Sequence, residues 1–254
     1  MSIVRFVGAG PGAIDLITLR GKSFLENADV IIYAGSLVNP DLLNFAKKGC
    51  VFHNSAEMTL EEVIDTIKSA VRTKKEVVRL HTGDPSVYGA IREQMDKLSS
   101  LGIEFEICPG VSSFNAAAAS LRVEYTLPGV SQTVILTRAE GRTTVPESEN
   151  LRSLAAHRAT MVLFLSTGLL ETVSNDLIAG GYASDTPAAI VYKASWQEEK
   201  IVRCTVGMLA RSAAENNIKK TALICVGDFL GNAYELSRLY ASDFSTEYRG
   251  EVKK

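Results

Sequence analysis

The stretch VGAGPGAIDLITLRG, Val7 to Gly21, closes the first apolar run of the chain and decides how the fold is interpreted. It follows a short β-rich run, and from Leu16 to Ala28 apolar residues recur at helical spacing. A glycine-rich turn between a strand and a helix directs backbone N–H groups outward, so it can hold an anion or the polar edge of a ligand. The stretch therefore predicts a strand, a ligand-binding turn and a helix, in that order.

The turn fits the fingerprint of dinucleotide-binding folds only loosely. Gly8, Gly10 and Ala13 occupy the positions of the G-x-G-x-x-G/A pattern. That fingerprint also needs an acidic residue at the end of the second strand, but Asp29 precedes the predicted second strand and no acid ends it. Pro11 also removes one N–H donor that a pyrophosphate would use. A nicotinamide- or flavin-dependent oxidoreductase is therefore disfavoured.

Strand and helix signals alternate through the first half of the chain. Short apolar runs are separated by helical segments, one of which opens with the capping-box pair Thr59 and Glu62. Asn39 and Pro40 mark the start of another short helix. Strands separated by helices of this length predict a parallel sheet that is covered on both faces.

The second half continues the alternation, with five more strand candidates and helices over 169–180 and 208–217. The segment KASWQEEK between two of these strands is too short for a helix, so it predicts a hairpin connection and a mixed sheet. The fold class is therefore α/β, with two α/β domains over 1–120 and 121–241. The polar residues 242–254 predict a flexible tail.

The composition is that of an ordinary globular protein, with 46% hydrophobic residues in a chain of 254 that can bury one large core or two modest ones. The net charge of −2 gives no reason to expect a nucleic acid or an anionic membrane as partner. No apolar stretch reaches the roughly 20 residues of a membrane span, and no signal peptide is recognised. The four cysteines and three histidines lack metal-ligand spacing. We therefore expect a cytoplasmic protein without a metal site.

Two later turns resemble the first in their position after a strand. HTGDPSVYG, His81 to Gly89, places Gly-Asp-Pro directly after a buried-strand pattern, and CPGVSSF, Cys108 to Phe114, places two serines at a helix start. Each turn taken alone is more often a plain helix cap. Because ligands of α/β sheets bind at the carboxyl ends of the strands, the three turns together predict a pocket for a small polar ligand.

The motifs VGAGPGAIDLITLRG, TGDPSVYG, PGVSS and TALICVGDF, in this order and spacing, resemble the tetrapyrrole methylase family. The resemblance implies a two-domain fold and a homodimer. It also implies S-adenosylmethionine as the methyl donor, a tetrapyrrole as the substrate and a cleft between the domains as the active site. Within the family, YAGSLV and LTRAEGRT are the discriminating stretches. They imply methylation of carbon C11 of precorrin-4, with or without bound cobalt.

The resemblance also implies which residues contact S-adenosylmethionine. The first turn lies beside it, the Gly-Asp-Pro turn holds its methionine part or ribose, and the second domain contacts the adenine side. The implied positions are Pro11, Thr82, Gly83, Asp84, Val87, Ser112, Ser113, Leu165, Ala194, Thr221 and Ala222. Relatives that methylate uroporphyrinogen carry an Asp and a Lys where this chain has Ala34 and Ser55. That sister activity, and any general base named by analogy with it, are therefore disfavoured.

A substrate with many carboxylates needs local cations even on a chain of negative net charge. Arg138 and Arg142, on a glycine-containing loop after a predicted strand, are favoured as substrate ligands over Arg20 and Lys22. Trp196 could stack on a flat macrocycle, although core packing is the commoner role of such a residue. No catalytic side chain is assigned, because methyl transfer from a sulfonium releases a neutral thioether and needs no acid.

Other functions stay open on the sequence alone. The same fold can methylate a different tetrapyrrole carbon, ribosomal RNA or diphthine. A nucleotide-dependent oxidoreductase and a non-catalytic protein that binds S-adenosylmethionine are the two other classes. Whether the tetrapyrrole already holds cobalt is open as well.

Overall fold

Two five-stranded sheets organise the chain, and the computed structural model describes residues 3–241, 244–245 and 247–249. One unit contains the residues up to Ser120 together with the connector Lys193–Lys200, and the other contains Leu121–Tyr192 and the chain from Ile201 onward. The predicted second domain, 121–241, includes this connector, whereas the structure places it with the first unit. Most of the predicted tail over 242–254 lies outside the described residues, and its flexibility stays a prediction.

The sheet of the first unit is parallel throughout, as predicted. Its elements in chain order are β1 (Val4–Gly8), α1 (Leu19–Asn27), β2 (Val30–Tyr33), β3 (Val51–Asn54), α2 (Leu60–Arg72), β4 (Val77–His81), α3 (Arg92–Ser100), β5 (Phe105–Cys108) and α4 (Ser113–Leu121). The strand order is β3-β2-β4-β1-β5. Phe6 and Ile67 belong to the core that α2 and α3 cover, and Val7 and Leu25 belong to the core on the α1 side. Both faces of the inner strands β1, β2 and β4 are therefore buried, which their near-continuous apolar sequences require.

Side-chain caps explain where the helices of the first unit begin. Thr59 and Glu62 form the predicted capping box at α2, with the Thr59 amide donating to Glu62 Oε2 at 2.7 Å. The helix predicted from Leu16 begins only at Leu19, because the Thr18 hydroxyl accepts from an amide of the first turn of α1. Asn39 is a cap as predicted, but the helix that follows it is a short 3-10 helix.

The second unit has the predicted mixed sheet, in the order β6-β7-β10-β8-β9. Its elements are β6 (Val134–Arg138), α5 (Leu151–Ala155), β7 (Thr160–Phe164), α6 (Leu170–Gly180), β8 (Pro187–Tyr192), β9 (Lys200–Thr205), α7 (Leu209–Glu215) and β10 (Ala222–Val226). β6 and β7 are parallel, whereas β10 runs antiparallel to both β7 and β8. The three helices bury Ala155, Leu177 and Leu209 against this sheet. Sequence reasoning missed α5, although Asn150 was its signal, since the Asn150 side chain accepts from the Ser153 amide.

Candidate functional site

Three strand-end turns meet at the carboxyl edge of the first sheet. β4, β1 and β5 are neighbours in this sheet, so the turns that follow them lie side by side. Gly10 and Gly83 exchange two backbone hydrogen bonds across the first two turns, at 3.2 and 2.8 Å. The Ala9 amide donates to the His81 carbonyl oxygen at 2.7 Å. The structure thus joins the turns that the sequence predicts as one ligand-binding edge.

Glycines allow the backbones of these turns to touch. A Cβ atom on Gly110 would lie 2.2 Å from the Gly83 carbonyl oxygen and 2.8 Å from the Gly8 Cα. Gly10 and Gly83 also have φ values of +79° and +59°, which residues with a Cβ adopt at a cost. The glycine spacing of the opening stretch is therefore required for backbone packing between three turns, not for a pyrophosphate.

Asp84 ties two of the turns together. Its Oδ2 accepts from the Gly110 amide at 2.8 Å, and its Oδ1 accepts from both the amide and the hydroxyl of Ser86. Burial alone would raise the pKa of Asp84, but these hydrogen bonds outweigh it and hold the pKa below its ordinary value of 3.8. Both carboxylate oxygens are thus engaged within the protein. Direct contact of Asp84 with the methyl donor stays a prediction.

Three predicted hydroxyl groups remain available at the same edge. Thr82, Ser112 and Ser113 have no side-chain hydrogen bond within the described part of the chain. Ser112 is buried, with 6% of its surface exposed, and a Cβ on Gly83 would lie 3.6 Å from the Ser113 amide nitrogen. Hydroxyls and an amide around a glycine backbone suit an amino acid moiety or a ribose. This edge therefore fits the methyl donor that the resemblance implies, with Val87 half-buried beside it.

The segment Pro11–Ala13 of the first turn is held by side chains from outside it. Trp196 Nε1 donates to the Pro11 carbonyl oxygen at 2.9 Å, and Asn39 Nδ2 donates to the Gly12 carbonyl oxygen at 2.8 Å. The Ala13 amide donates to Ser195 Oγ at 3.0 Å. Trp196 is only half-buried, and its side chain holds this turn. This role differs from the two considered for it in the sequence, core packing and stacking on a macrocycle.

In the second unit, three predicted residues share one edge of the sheet. The register pairs Ile224 with Leu163 and Ala222 with Tyr192, so the start of β10 lies beside the ends of β7 and β8. Leu165 follows β7 with φ +53° and 67% of its surface exposed, and Thr221 precedes Ala222 with φ +58°. Residues that bear a Cβ adopt this left-handed backbone conformation at a cost, and such strain is common at functional sites. Contact of these residues with the methyl donor stays a prediction.

Ala194, the fourth residue predicted for the adenine side, lies in the connector of the first unit. It follows the end of β8 and is buried, with 6% of its surface exposed. Its contact with the methyl donor stays a prediction.

The two arginines predicted to bind the substrate, Arg138 and Arg142, differ in their surroundings. The Arg138 guanidinium donates to the carbonyl oxygens of Ala139, Thr143 and Thr144, at 3.3, 3.1 and 2.6 Å. It therefore holds the loop that follows β6. Arg142 lies in that loop and is exposed. Contact of either arginine with a substrate carboxylate stays a prediction.

Sequence reasoning missed a buried basic pair on β4. Arg79 donates to Gln94 Oε1 at 3.1 Å and to the Ile32 carbonyl oxygen at 3.2 Å, and burial lowers its pKa to about 10. Burial, with a smaller contribution from Arg79, lowers the pKa of His81 to about 3, so its ring is neutral at physiological pH. The signal was present as two polar residues in the otherwise apolar run VVRLH. Among the described residues no cluster could hold a metal ion, and no described helix could cross a bilayer.

Comparison with known proteins identifies the family. The family model described as Tetrapyrrole (Corrin/Porphyrin) Methylases matches residues 4–210, most of the chain. The chain belongs to this family. The expected fold and the resemblance seen in the sequence are thereby confirmed.

Curated relatives match over nearly the full length. The cobalt-precorrin-4 C(11)-methyltransferase of Methanocaldococcus jannaschii is 57% identical over 252 residues, covering 99% of this chain and 97% of that protein. The protein of the same name from Priestia megaterium is 47% identical, covering 97% of each. The precorrin-4 C(11)-methyltransferase of Pseudomonas aeruginosa is 44% identical, covering 97% of this chain and 98% of that protein.

Solved structures of the family superpose closely on this tetrapyrrole methylase. A cobalamin biosynthetic enzyme, cobalt precorrin-4 methyltransferase, has a TM-score of 0.88 at 49% identity and covers 90% of this chain and 96% of its own. Uroporphyrin-III C-methyltransferase from Thermus thermophilus, complexed with S-adenyl homocysteine, has a TM-score of 0.76 at 26% identity, covering 90% and 93%. That complex contains the demethylated product of the methyl donor, in agreement with the expected cofactor.

Proposed function

We propose that this tetrapyrrole methylase transfers a methyl group from S-adenosylmethionine to C11 of cobalt-precorrin-4. The observation that carries the proposal is the 57% identity over 252 residues to a relative of that activity. The 47% identical relative has the same name, whereas the relative named for metal-free precorrin-4 is 44% identical. The cobalt-containing macrocycle is therefore the proposed substrate, with metal-free precorrin-4 as the alternative.

The reaction forms one carbon–carbon bond at C11 and breaks one sulfur–methyl bond. S-adenosylmethionine supplies an electrophilic methyl group with a neutral thioether as leaving group, and the macrocycle loses a proton to complete the substitution. The protein contributes by alignment, which can be worth about 7–11 kcal/mol of the barrier in favourable systems. The Thr82, Ser112 and Ser113 hydroxyls can orient the donor by hydrogen bonds at the carboxyl edge of the first sheet. We assign no side chain as an essential general base.

Product analysis tests this function directly. The protein is incubated with methyl-labelled S-adenosylmethionine and either cobalt-precorrin-4 or precorrin-4, and the label is located on the ring by NMR. We expect the label at C11 and a higher kcat/KM for the cobalt form. A label on another carbon would contradict the proposed position. Donor binding without turnover of either macrocycle would instead favour a non-catalytic protein that binds S-adenosylmethionine.

The loop after β6 is proposed to bind substrate carboxylates. Arg142 is exposed, while Arg138 donates to three carbonyl oxygens of the same loop. Replacing both arginines by alanine should raise KM for the tetrapyrrole and leave the Kd of S-adenosylmethionine nearly unchanged. Arg211→Ala is a matched control, because Arg211 is an exposed arginine of the same unit paired with Glu215. Equal loss of affinity for both ligands in the double variant would refute this assignment.

The homodimer implied by the family resemblance and the cytoplasmic location expected from the composition remain predictions. Sedimentation equilibrium of the purified protein should give twice the chain mass of 27.4 kDa. A monomer at micromolar concentration would contradict the first expectation, and recovery with a membrane fraction would contradict the second.

A further inference from the structure

We propose that Trp196 is a positioning residue for the methyl donor, acting through the segment Pro11–Ala13. The inference rests on the proposed function, because it takes Pro11 as a wall of the S-adenosylmethionine site. Its structural basis is independent of that function. Each of three successive residues in this segment has a backbone polar group bound by a side chain from elsewhere in the chain.

The indole both donates to the segment and packs against it. Trp196 Nε1 donates to the Pro11 carbonyl oxygen at 2.9 Å, and the ring covers Gly12 so closely that a Cβ there would lie 2.1 Å from Cδ1. Pro11 has no N–H to donate, so its carbonyl is the only backbone hydrogen-bonding group through which this residue can be held. The Trp196 N–H therefore fixes the peptide that carries the proposed donor-lining residue.

The neighbouring residues add contacts of the same kind. Ser195 Oγ accepts from the Ala13 amide at 3.0 Å. From the other side of the segment, Asn39 Nδ2 donates to the Gly12 carbonyl oxygen at 2.8 Å. The connector Lys193–Lys200 thus supplies two of the three side chains that hold the segment.

The connector is itself braced in an unfavourable backbone conformation. Lys193 and Ser195 have φ values of +47° and +69°, which side-chain-bearing residues adopt at a cost. Glu199 Oε2 accepts from the Ser195 amide and from the Ser120 hydroxyl, both at 2.6 Å. The Lys193 ammonium lies 4.9 Å from the centre of the Trp196 ring. These contacts hold the strained connector with the indole directed at the turn after β1.

Trp196→Phe tests the positioning role, because it keeps an aromatic side chain but removes the N–H donor and the five-membered ring that covers Gly12. We expect the Kd of S-adenosylmethionine, measured by calorimetry on the protein alone, to rise about threefold to tenfold, as loss of one hydrogen bond predicts. KM for the tetrapyrrole should stay unchanged. Ser195→Ala should shift the donor Kd in the same direction, and it provides a second readout if Trp196→Phe fails to fold.

Tyr182→Phe is the matched control. The Tyr182 hydroxyl also donates to a backbone carbonyl oxygen, that of Ala159, but it does so in the second unit. This variant should lower Tm and leave the donor Kd unchanged. An unchanged donor Kd in both connector variants, or an equal change for donor and tetrapyrrole, would overturn the inference. Failure of the wild type to methylate either macrocycle while it binds the donor would refute the proposed function and leave this test intact.

Discussion

Gly110→Ala tests whether backbone contact between the three turns creates the candidate site. The added Cβ would lie 2.2 Å from the Gly83 carbonyl oxygen, against 3.4 Å for an ordinary contact. The two atoms must therefore separate by about 1.2 Å, and neither belongs to a side chain that can rotate away. Overpacking of this kind costs about 1–3 kcal/mol. Displacement of the Gly110 amide also weakens its hydrogen bond to the Asp84 carboxylate, worth about 1.5–3 kcal/mol.

The free energy of unfolding should therefore fall by about 2.5–6 kcal/mol if the hydrogen bond is lost and by less if it is only weakened, a large part of the roughly 5–15 kcal/mol that domains typically have. Urea unfolding followed by the fluorescence of Trp196 measures this, because the single tryptophan of the chain lies in the first unit. The fraction that remains folded should bind S-adenosylmethionine more weakly, as calorimetry can show.

Gly168→Ala is the control for this experiment. Gly168 lies in the second unit, its φ is not positive, and a Cβ there would meet nothing within 4 Å. The urea unfolding transition followed by Trp196 fluorescence should therefore be unchanged in this variant. If Gly110→Ala stays within about 1 kcal/mol of the wild type, and binds the donor equally well, the packing argument is wrong.

Three further predictions concern single residues. Asp84→Asn should lower the free energy of unfolding by about 1–3 kcal/mol in urea titrations, because two amide donors then compete for one neutral acceptor oxygen. Since the folded pKa of Asp84 is depressed below 3.8, its stabilising contribution is present above that pH and is lost as the pH falls through the folded pKa. The stability difference between wild type and Asp84→Asn should therefore shrink below about pH 4, and a difference independent of pH would contradict this reasoning. Thr59→Ala should lower the free energy of unfolding by about 1 kcal/mol, because the capping box of α2 is lost. The KM values for S-adenosylmethionine and for the tetrapyrrole should stay unchanged.

The local patterns in the sequence were sufficient to predict most of the fold. The capping box at Thr59 and the alternation of apolar runs with helical segments indicate where helices and strands form. Both signals depend only on residues that are close together in the sequence. The short helix α5 was missed because five residues give too little periodicity to recognise. The connector Lys193–Lys200 was assigned to the second domain because it joins two strands of that half, and only its contacts place it with the first unit.

The candidate site was predictable in its location and less so in the roles of its residues. Turns after parallel strands lie at one edge of a sheet whatever their sequence, so the convergence of the glycine-rich turns followed from strand order. Whether a polar side chain faces a ligand or another part of the protein depends on long-range contacts. Asp84 and Arg138 suggested ligand contacts in the sequence, yet their hydrogen bonds are made to the protein's own turns and loops. Trp196 shows the reverse case, because nothing near it in sequence indicates that its N–H reaches Pro11.

This division of roles has a consequence for how substitutions should behave. Asp84 and Arg138 hold backbone groups, so their loss should change stability and ligand affinity together. The Thr82, Ser112 and Arg142 side chains make no side-chain hydrogen bond within the described residues, so their loss should change ligand affinity with little effect on folding. A single set of variants, measured for Tm, donor Kd and tetrapyrrole KM, can therefore distinguish residues that form the site from residues that contact its ligands. Position in the sequence does not distinguish the two kinds of residue, because side chains that are hydrogen-bonded within the protein and side chains that are not lie in the same turns. Only the hydrogen bonds in the structure distinguish them.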